Sequence, residues 1–354
     1  VEGLTPLFTP PDRFFVTDVT YAPPVVDLEA WTLRVHGMVD RELELSFDDL
    51  VGVGLVELDA TLVCVHNPVG GPRIGSARWL GVPVGALLER AGVQRDAEQL
   101  VARSVDGFTA GVPIDDLTSR QAIIAVGMGG EPLPVDHGYP ARLLVPGIWG
   151  ADANTKWLTE LELTSWAAVS DYWDTRGWPR RPTSVAPGSR IDVPGNRSTI
   201  VAGPTEIAGV AWAPRRGVTA VEVRVDDGPW QEAELSAELA STMWRQWRLE
   251  WTATPGAHEL HVRTLSHRQT QHDQQQPPYP VGSRGKHRVS IDVRTAPPTT
   301  LRLLTSGARA RWAALEERAK LGGAALPAWR ARGYPPVPRW SAPSTSWGAD
   351  DAGS

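Results

Sequence analysis

Hydrophobic and polar positions alternate most clearly where Trp31, Leu33 and Val35 interleave with Thr32, Arg34 and His36, which predicts a half-buried strand closed by Gly37. His36 then falls on the polar face. Ser46 is placed to cap a short helix with Asp49 at its third position. The apolar, β-branched run Thr61-Leu62-Val63 predicts a strand broken by Asn67-Pro68 and Gly70-Gly71-Pro72. Pro83 opens a helix that turns Leu87, Leu88 and Ala91 to a core and stops at Gly92. Leu100 to Val105 and Ala122 to Val126 predict two more strands. Residues 131–142 are too rich in proline for regular structure. The apolar strand Leu143 to Val145 follows, then a glycine-containing loop over 146–155, and Lys156-Trp157 leads into a strand through Leu163. Ahead of all this, residues 1–30 read as an extended arm whose one strand-like piece is Phe14 to Asp18.

Beyond Leu163 the texture changes. Residues 166–187 carry Trp166, Tyr172, Trp173 and Trp178 among prolines and arginines, and read as a linker that packs on something. Alternation returns at Val221, Val223 and Val225, at Trp247, Leu249 and Trp251, and at Leu260 and Val262, with turns at Asp227-Gly228 and Pro255-Gly256. Antiparallel hairpins at that spacing predict an immunoglobulin-like β-sandwich over 188–295. The glutamine-rich stretch Gln269 to Gln276 reads as a solvated loop. Residues 296–354 are rich in Pro, Ala and Arg and read as a largely disordered tail, with one amphipathic helix possible over 308–321. The expected organisation is a domain over 1–165, a linker over 166–187, the sandwich, and the tail.

Composition narrows the class. The 354 residues hold 34 Gly and 31 Pro, which favours many turns and short strands, an α+β and β-rich protein, over a helical bundle. A net charge of −6 argues against a nucleic-acid partner, yet the basic residues are nearly all arginine, which suits planar oxyanions. One cysteine, Cys64, allows no internal disulfide, zinc cage or iron–sulfur cluster, and C-x-x-C-H for covalent haem is absent. Any electron must therefore leave through a separate carrier. No run of eighteen apolar residues and no signal-peptide pattern is visible, so the sequence reads as a soluble chain, anchored to a membrane only through a segment outside it.

Cys64 stands at a predicted strand end, facing a loop. Taken alone it fits a small core hydrophobe better than a ligand. A lone thiolate can instead be the soft ligand of a redox metal held mostly by something else, with downstream glycines letting backbone N–H groups approach an anion. Arg142 alone reads as half of a surface ion pair, and His137 as a satisfied loop histidine. His258 and His261, three apart in a strand, point to opposite faces and form no chelating pair. Walker, dinucleotide, H-E-x-x-H and G-x-S-x-G motifs are absent.

Four segments change the balance when taken together. Cys64 lies in Thr61 to Asn67 (TLVCVHN), followed by Ala77 to Pro83 (ARWLGVP). Then come Gly130 to Pro134 (GEPLP) with His137 to Arg142 (HGYPAR), and Lys156-Trp157-Leu158. In that order and spacing they resemble the sulfite oxidase family of molybdopterin enzymes, in particular actinobacterial-type members known simply as molybdopterin-dependent oxidoreductases. The resemblance covers about residues 14–163, with 189–293 similar to the dimerisation domain that follows in that family.

The resemblance implies a molybdenum cofactor with Cys64 as the protein's thiolate ligand to the metal. It implies that His137 and Arg142 hold the pterin and its phosphate, and that Asn154, Thr155 and Lys156 close over that phosphate. Phe15, Thr17 and Asp18 match the early pterin-contacting arm, although Thr17-Asp18 stands where sulfite oxidases carry Arg-Asn-His. Asp18 can still accept hydrogen bonds from pterin N–H groups. Val65-His66-Asn67-Pro68 replaces the anion-binding arginines after the cysteine, and Phe108 replaces the active-site tyrosine, so sulfite itself is disfavoured. The reading is therefore a two-electron oxygen-atom transfer on a small molecule, with His66 and Asn67 on the substrate side and Asp106 toward the cofactor. A sulfoxide-type reductase on the same cofactor and a non-catalytic cofactor-binding scaffold are the alternatives. A homodimer and an extracytoplasmic or membrane-associated setting are implied by resemblance alone.

Overall fold

A computed structural model describes residues 1–267 and 269–295. The tail expectations, including the 308–321 helix, lie outside the described residues. The first part runs β1 (Thr32–Gly37), β2 (Leu43–Ser46), α1 (Phe47–Gly52), β3 (Val56–Val63), β4 (Ile74–Pro83) and α2 (Val84–Ala91). It continues through β5 (Gln99–Ser104), β6 (Thr109–Pro113), α3 (Ile114–Ser119), β7 (Ile123–Met128), β8 (Glu131–Pro132), β9 (Arg142–Leu144), α4 (Gly150–Ala153) and β10 (Leu158–Thr164).

Two five-stranded sheets result. One has the order β2-β1-β10-β5-β6; the other has the order β3-β4-β7-β8, with β9 also paired to β7. Leu33 and Val35 of β1 point inward as their alternation requires, and His36 on the other face meets Glu160 at 3.0 Å. Ser46 caps α1 in a capping box with Asp49. The second sheet is covered on both faces: Leu80 and Val82 join the core shared with the first sheet, whereas Trp79, Ala60 and Met128 pack on the other side with Phe14.

The second part comprises β11 (Gly188–Val193), β12 (Thr199–Val201), β13 (Gly203–Trp212), β14 (Ala220–Val225), β15 (Gln231–Glu232), β16 (Glu234–Leu235), β17 (Arg245–Ala253), β18 (Gly256–Ser266), β19 (Gln269–Thr270) and β20 (His287–Arg294). Sheets β11-β13-β17-β16 and β12-β20-β18-β14-β15 enclose a core around Trp247, Val221, Leu260 and Ile291. A further cluster joins the two parts, with Val63, Val65, Ile74 and Trp149 packed among Trp178, Val210, Trp212 and Trp244.

Several expectations change. Phe14 to Asp18 is extended but pairs with no strand, because Phe14 is spent on Trp79 and His137 in edge-on contacts. The proline-rich 131–142 stretch does contain regular pieces, β8 and a 3₁₀ turn over Val135–His137. The glutamine-rich loop is not uniformly solvated. Gln271 is 3% exposed, and its amide accepts from Ser189 Oγ at 2.6 Å and Thr264 N at 2.9 Å while donating to Gly285 O at 2.6 Å.

Candidate active site

Cys64 follows directly on β3 and is 2% exposed. Its loop closes on itself: Cys64 N–H donates to Arg73 O at 3.0 Å, Asn67 N–H to Cys64 O at 2.9 Å, and Arg73 N–H to Asn67 Oδ1 at 2.8 Å. The second part grips the same loop, with Ser283 Oγ donating to Asn67 O at 2.6 Å and Arg190 Nη1 to Gly71 O at 2.9 Å. Asn67 is thus tied into the loop. Its amide oxygen holds the loop shut, and it does not line the neighbouring cavity as expected from its place beside the cysteine.

That cavity, of about 180 Å³, is walled by residues from five separate stretches. The arm contributes Thr17, Asp18 and Val19; the cysteine loop contributes His66; the β5–β6 turn contributes Ser104, Asp106 and Phe108. Gly150, Ala151, Asn154, Lys156 and Trp157 form another side, and Trp173 from the 166–187 stretch completes it. Gly150 links the cavity to the cysteine: a Cβ there would sit 3.3 Å from Val63 O and 3.8 Å from Cys64 Cα. Any side chain at 150 would crowd the backbone of Val63 and Cys64. Trp157, with positive φ, donates its indole N–H to Val135 O at 2.8 Å, and Trp173 donates to Ala151 O at 2.8 Å, so both aromatic walls are pinned.

The charged groups are arranged in layers. Asp18 and Lys156 form a half-buried ion pair on the cavity wall, and Lys156 Nζ also donates to Asp136 O at 2.8 Å. Burial lowers the Lys156 pKa, with Asp18 opposing and Arg142 reinforcing. Behind them Arg142 is fully enclosed, donating through Nη1 to His137 O at 3.1 Å and through Nη2 to Asn154 O at 3.3 Å. Burial pushes its pKa down to about 10, so the guanidinium stays charged at neutral pH. Arg142 Nε, Asn154 Nδ2 and Thr155 Oγ1 are buried with no hydrogen-bond partner. Three such groups in one place are unusual in a folded chain, where nearly all buried polar atoms are paired.

The remaining expected residues fall into two groups. His66 faces the cavity, and burial, then Arg73, lower its pKa, which favours a neutral imidazole. Asp106 lines the cavity but also accepts from Phe108 N–H at 3.1 Å, fixing the turn. His137 and Phe15 do not line it. His137 Nε2 meets Pro11 O at 2.9 Å, and burial lowers its pKa, while Phe15 stacks on Phe14. These two hold the arm in place. Val19, Ser104, Trp157 and Trp173 were not anticipated as site residues; the density of aromatics over 166–178 was the available signal for Trp173.

The model of the oxidoreductase molybdopterin binding domain matches residues 20–173. Rat mitochondrial sulfite oxidase is 31% identical over 307 residues, covering 74% of this chain and 56% of that protein. The Bacillus subtilis (strain 168) oxidoreductase YuiH is 30% identical over 155 residues, covering 44% of this chain and 75% of its own length. This chain belongs to the sulfite oxidase family of molybdopterin-dependent oxidoreductases. It spans little more than half the length of the rat sulfite oxidase. Among solved structures the sulfane dehydrogenase SoxCD of Paracoccus pantotrophus is similar, with a TM-score of 0.67 at 22% identity over 76% of this chain and 75% of that one, which extends the shared fold into the second part.

The residues fit the family's cofactor. A buried guanidinium N–H, an amide N–H and a hydroxyl without partners are the donors an anionic pterin phosphate needs, and Lys156 adds a second cation beside them.

Proposed function

We propose that this chain is a molybdopterin oxidoreductase that carries out a two-electron oxygen-atom transfer on a small molecule, with Cys64 as the protein's ligand to molybdenum. The three partnerless buried groups on Arg142, Asn154 and Thr155 carry this reading. When bound, the cofactor supplies the redox change and the oxygen-atom transfer. Cys64 would hold the metal. Arg142, Asn154, Thr155 and Lys156 would hold the phosphate, and Asp18 would accept from pterin N–H groups. His66, neutral and facing the cavity, can hydrogen-bond a substrate oxygen. Phe108, Ala151, Val19 and Trp173 exclude water around it.

A substrate other than sulfite is favoured because Val65-His66-Asn67-Pro68 follows Cys64 where the resemblance leads one to expect anion-binding arginines. A sulfoxide-type oxo-substrate suits the same cavity, and turnover assayed with sulfite against a sulfoxide separates the two. Electrons would pass to a separate carrier. For residues 188–295 the two-sheet arrangement supports an immunoglobulin-like dimerisation module, with 1–165 as the cofactor domain and 166–187 as the connector.

The test is the molybdenum and pterin content of protein from a cofactor-competent host. Wild type is expected to carry near-stoichiometric amounts of both, Cys64→Ser to lose the metal while remaining folded, and Arg142→Gln to lose the pterin. Wild type with neither component would end the enzyme reading and favour a scaffold.

A further inference from the structure

Away from the cofactor cavity, a second cavity of about 510 Å³ opens where the two parts meet, between the 183–187 segment, the turn after β13 and Arg284. Its charge has one sign. Arg120, Arg215, Arg216 and Arg284 line it, and among the described residues no carboxylate does. Arg120 forms the floor and is committed: Nε donates to Asp116 Oδ1 at 2.6 Å, Nη1 to Gly147 O at 3.2 Å and Nη2 to Ser184 Oγ at 2.8 Å. Arg215 packs against it. A Cβ on Gly147 would lie 3.3 Å from Arg120 Nη1 and 3.4 Å from Arg215 Cγ, so the two side chains meet over that one glycine.

Two guanidinium groups on one cavity wall repel, and an anion between them relieves the repulsion. The Arg215 pKa is lowered accordingly, first by burial and then by Arg120. Two more groups point to a missing partner. Arg284 Nε and Thr183 Oγ1, both on the cavity lining, are buried with no hydrogen bond. The cofactor site uses none of these residues.

We propose that this junction cavity binds a tetrahedral oxyanion of the phosphate or sulfate class, free or as the head of a small ester. Arg284 and Arg215 are its charged ligands, Thr183 donates its hydroxyl, and Arg216 closes the exposed rim. The fork of a guanidinium matches two oxygens of such an anion. The site is independent of the molybdopterin reading, since it neither touches that cavity nor shares a residue with it.

Equilibrium dialysis of the full cofactor-loaded chain against labelled inorganic phosphate, in a chloride buffer, tests the assignment. Saturable binding of one phosphate per chain is expected, displaced by inorganic sulfate and by a small phosphate monoester but not by equal chloride. Arg215→Gln and Arg284→Gln should each weaken it roughly 10- to 100-fold. Arg284→Lys, which keeps the charge but loses the fork, should bind between wild type and Arg284→Gln, and melting temperatures unchanged across the variants guard against a general folding effect. No saturable binding, or binding unchanged in both glutamine variants, would overturn the proposal.

Discussion

Asp152 is the acid whose ionisation the fold disturbs most. It sits in α4, behind the wall formed by Gly150 and Ala151, and burial pushes its pKa up to about 7, helped by Asp171 and opposed by the Thr183 N–H it accepts. Its Oδ1 has no partner. An acid whose pKa is raised on folding is protonated in the folded chain and ionised in the unfolded one between about pH 4 and pH 7, so that stability falls as pH rises through this window. The full effect is about 4 kcal/mol, reached above pH 7. Asp152→Asn keeps an acceptor for Thr183 and removes the charge. Its melting temperature should exceed that of wild type by an amount that grows from pH 5 to pH 8; a constant difference across that range would contradict the assignment. No sequence pattern marks this residue, because its environment is made by Thr183 and Asp171, far along the chain. Cys64, Arg142 and Lys156, on which the proposed cofactor site rests, stand out in the sequence because each is a chemically distinctive residue within a recognisable segment. Most of the cavity wall does not: Val19, Trp157 and Trp173 are ordinary apolar residues until the fold brings them together. Nearness to Cys64 in sequence also does not tell which way an amide turns: the Asn67 oxygen accepts from Arg73 N–H within the loop.

Among the elements, alternation was legible where one face of a strand is wet and failed where neither is. β1 and β14 show their burial in the sequence, each with polar residues between inward-facing ones. β4 does not. Ile74 to Pro83 is buried along nearly its whole length, carries Gly75 and Gly81 where Phe14 and the β7 backbone approach, and shifts register between Leu80 and Gly81, so it presents no period of two. β6 and β13 were likewise hidden, one short and one buried through its second half. The glutamine-rich loop failed for a different reason, since composition suggests solvation while one residue, Gln271, crosses into the core. Its amide joins β11, β18 and the Gly285 turn through three short hydrogen bonds. Gln271→Ala would leave Thr264 N–H and Gly285 O buried and unpaired, which should cost about 2–4 kcal/mol. Chemical denaturation would register this as a lower midpoint with an unchanged slope. A change within a few tenths of a kcal/mol would show that the loop is solvated after all.

At the scale of the whole molecule, the two parts are bound by more than a chain connection. Trp149 and Trp178 pack with Trp212 and Trp244 in one apolar cluster. Backbone and side chain interlock beside it, where Thr61 N–H donates to Thr242 O at 3.0 Å, Trp244 N–H donates to Thr61 Oγ1 at 2.8 Å, and the Trp244 indole donates to Leu7 O at 2.8 Å. Thr61 lies three residues before Cys64, and Ser283 and Arg190 fix the loop after it, so Cys64 is held on both sides by residues from 188 onward. A junction with this much buried aromatic surface should not open separately from the cores it joins. Calorimetry is therefore expected to show one transition over the described residues, with the calorimetric and van't Hoff enthalpies in agreement. Trp244→Ala, which leaves a cavity and an unpaired Leu7 carbonyl, should lower that single transition by about 3–5 kcal/mol without splitting it. Two resolved transitions in wild type would mean that the second part does not buttress the cysteine loop through the fold, and that the loop's geometry is set by β3 and its own hydrogen bonds.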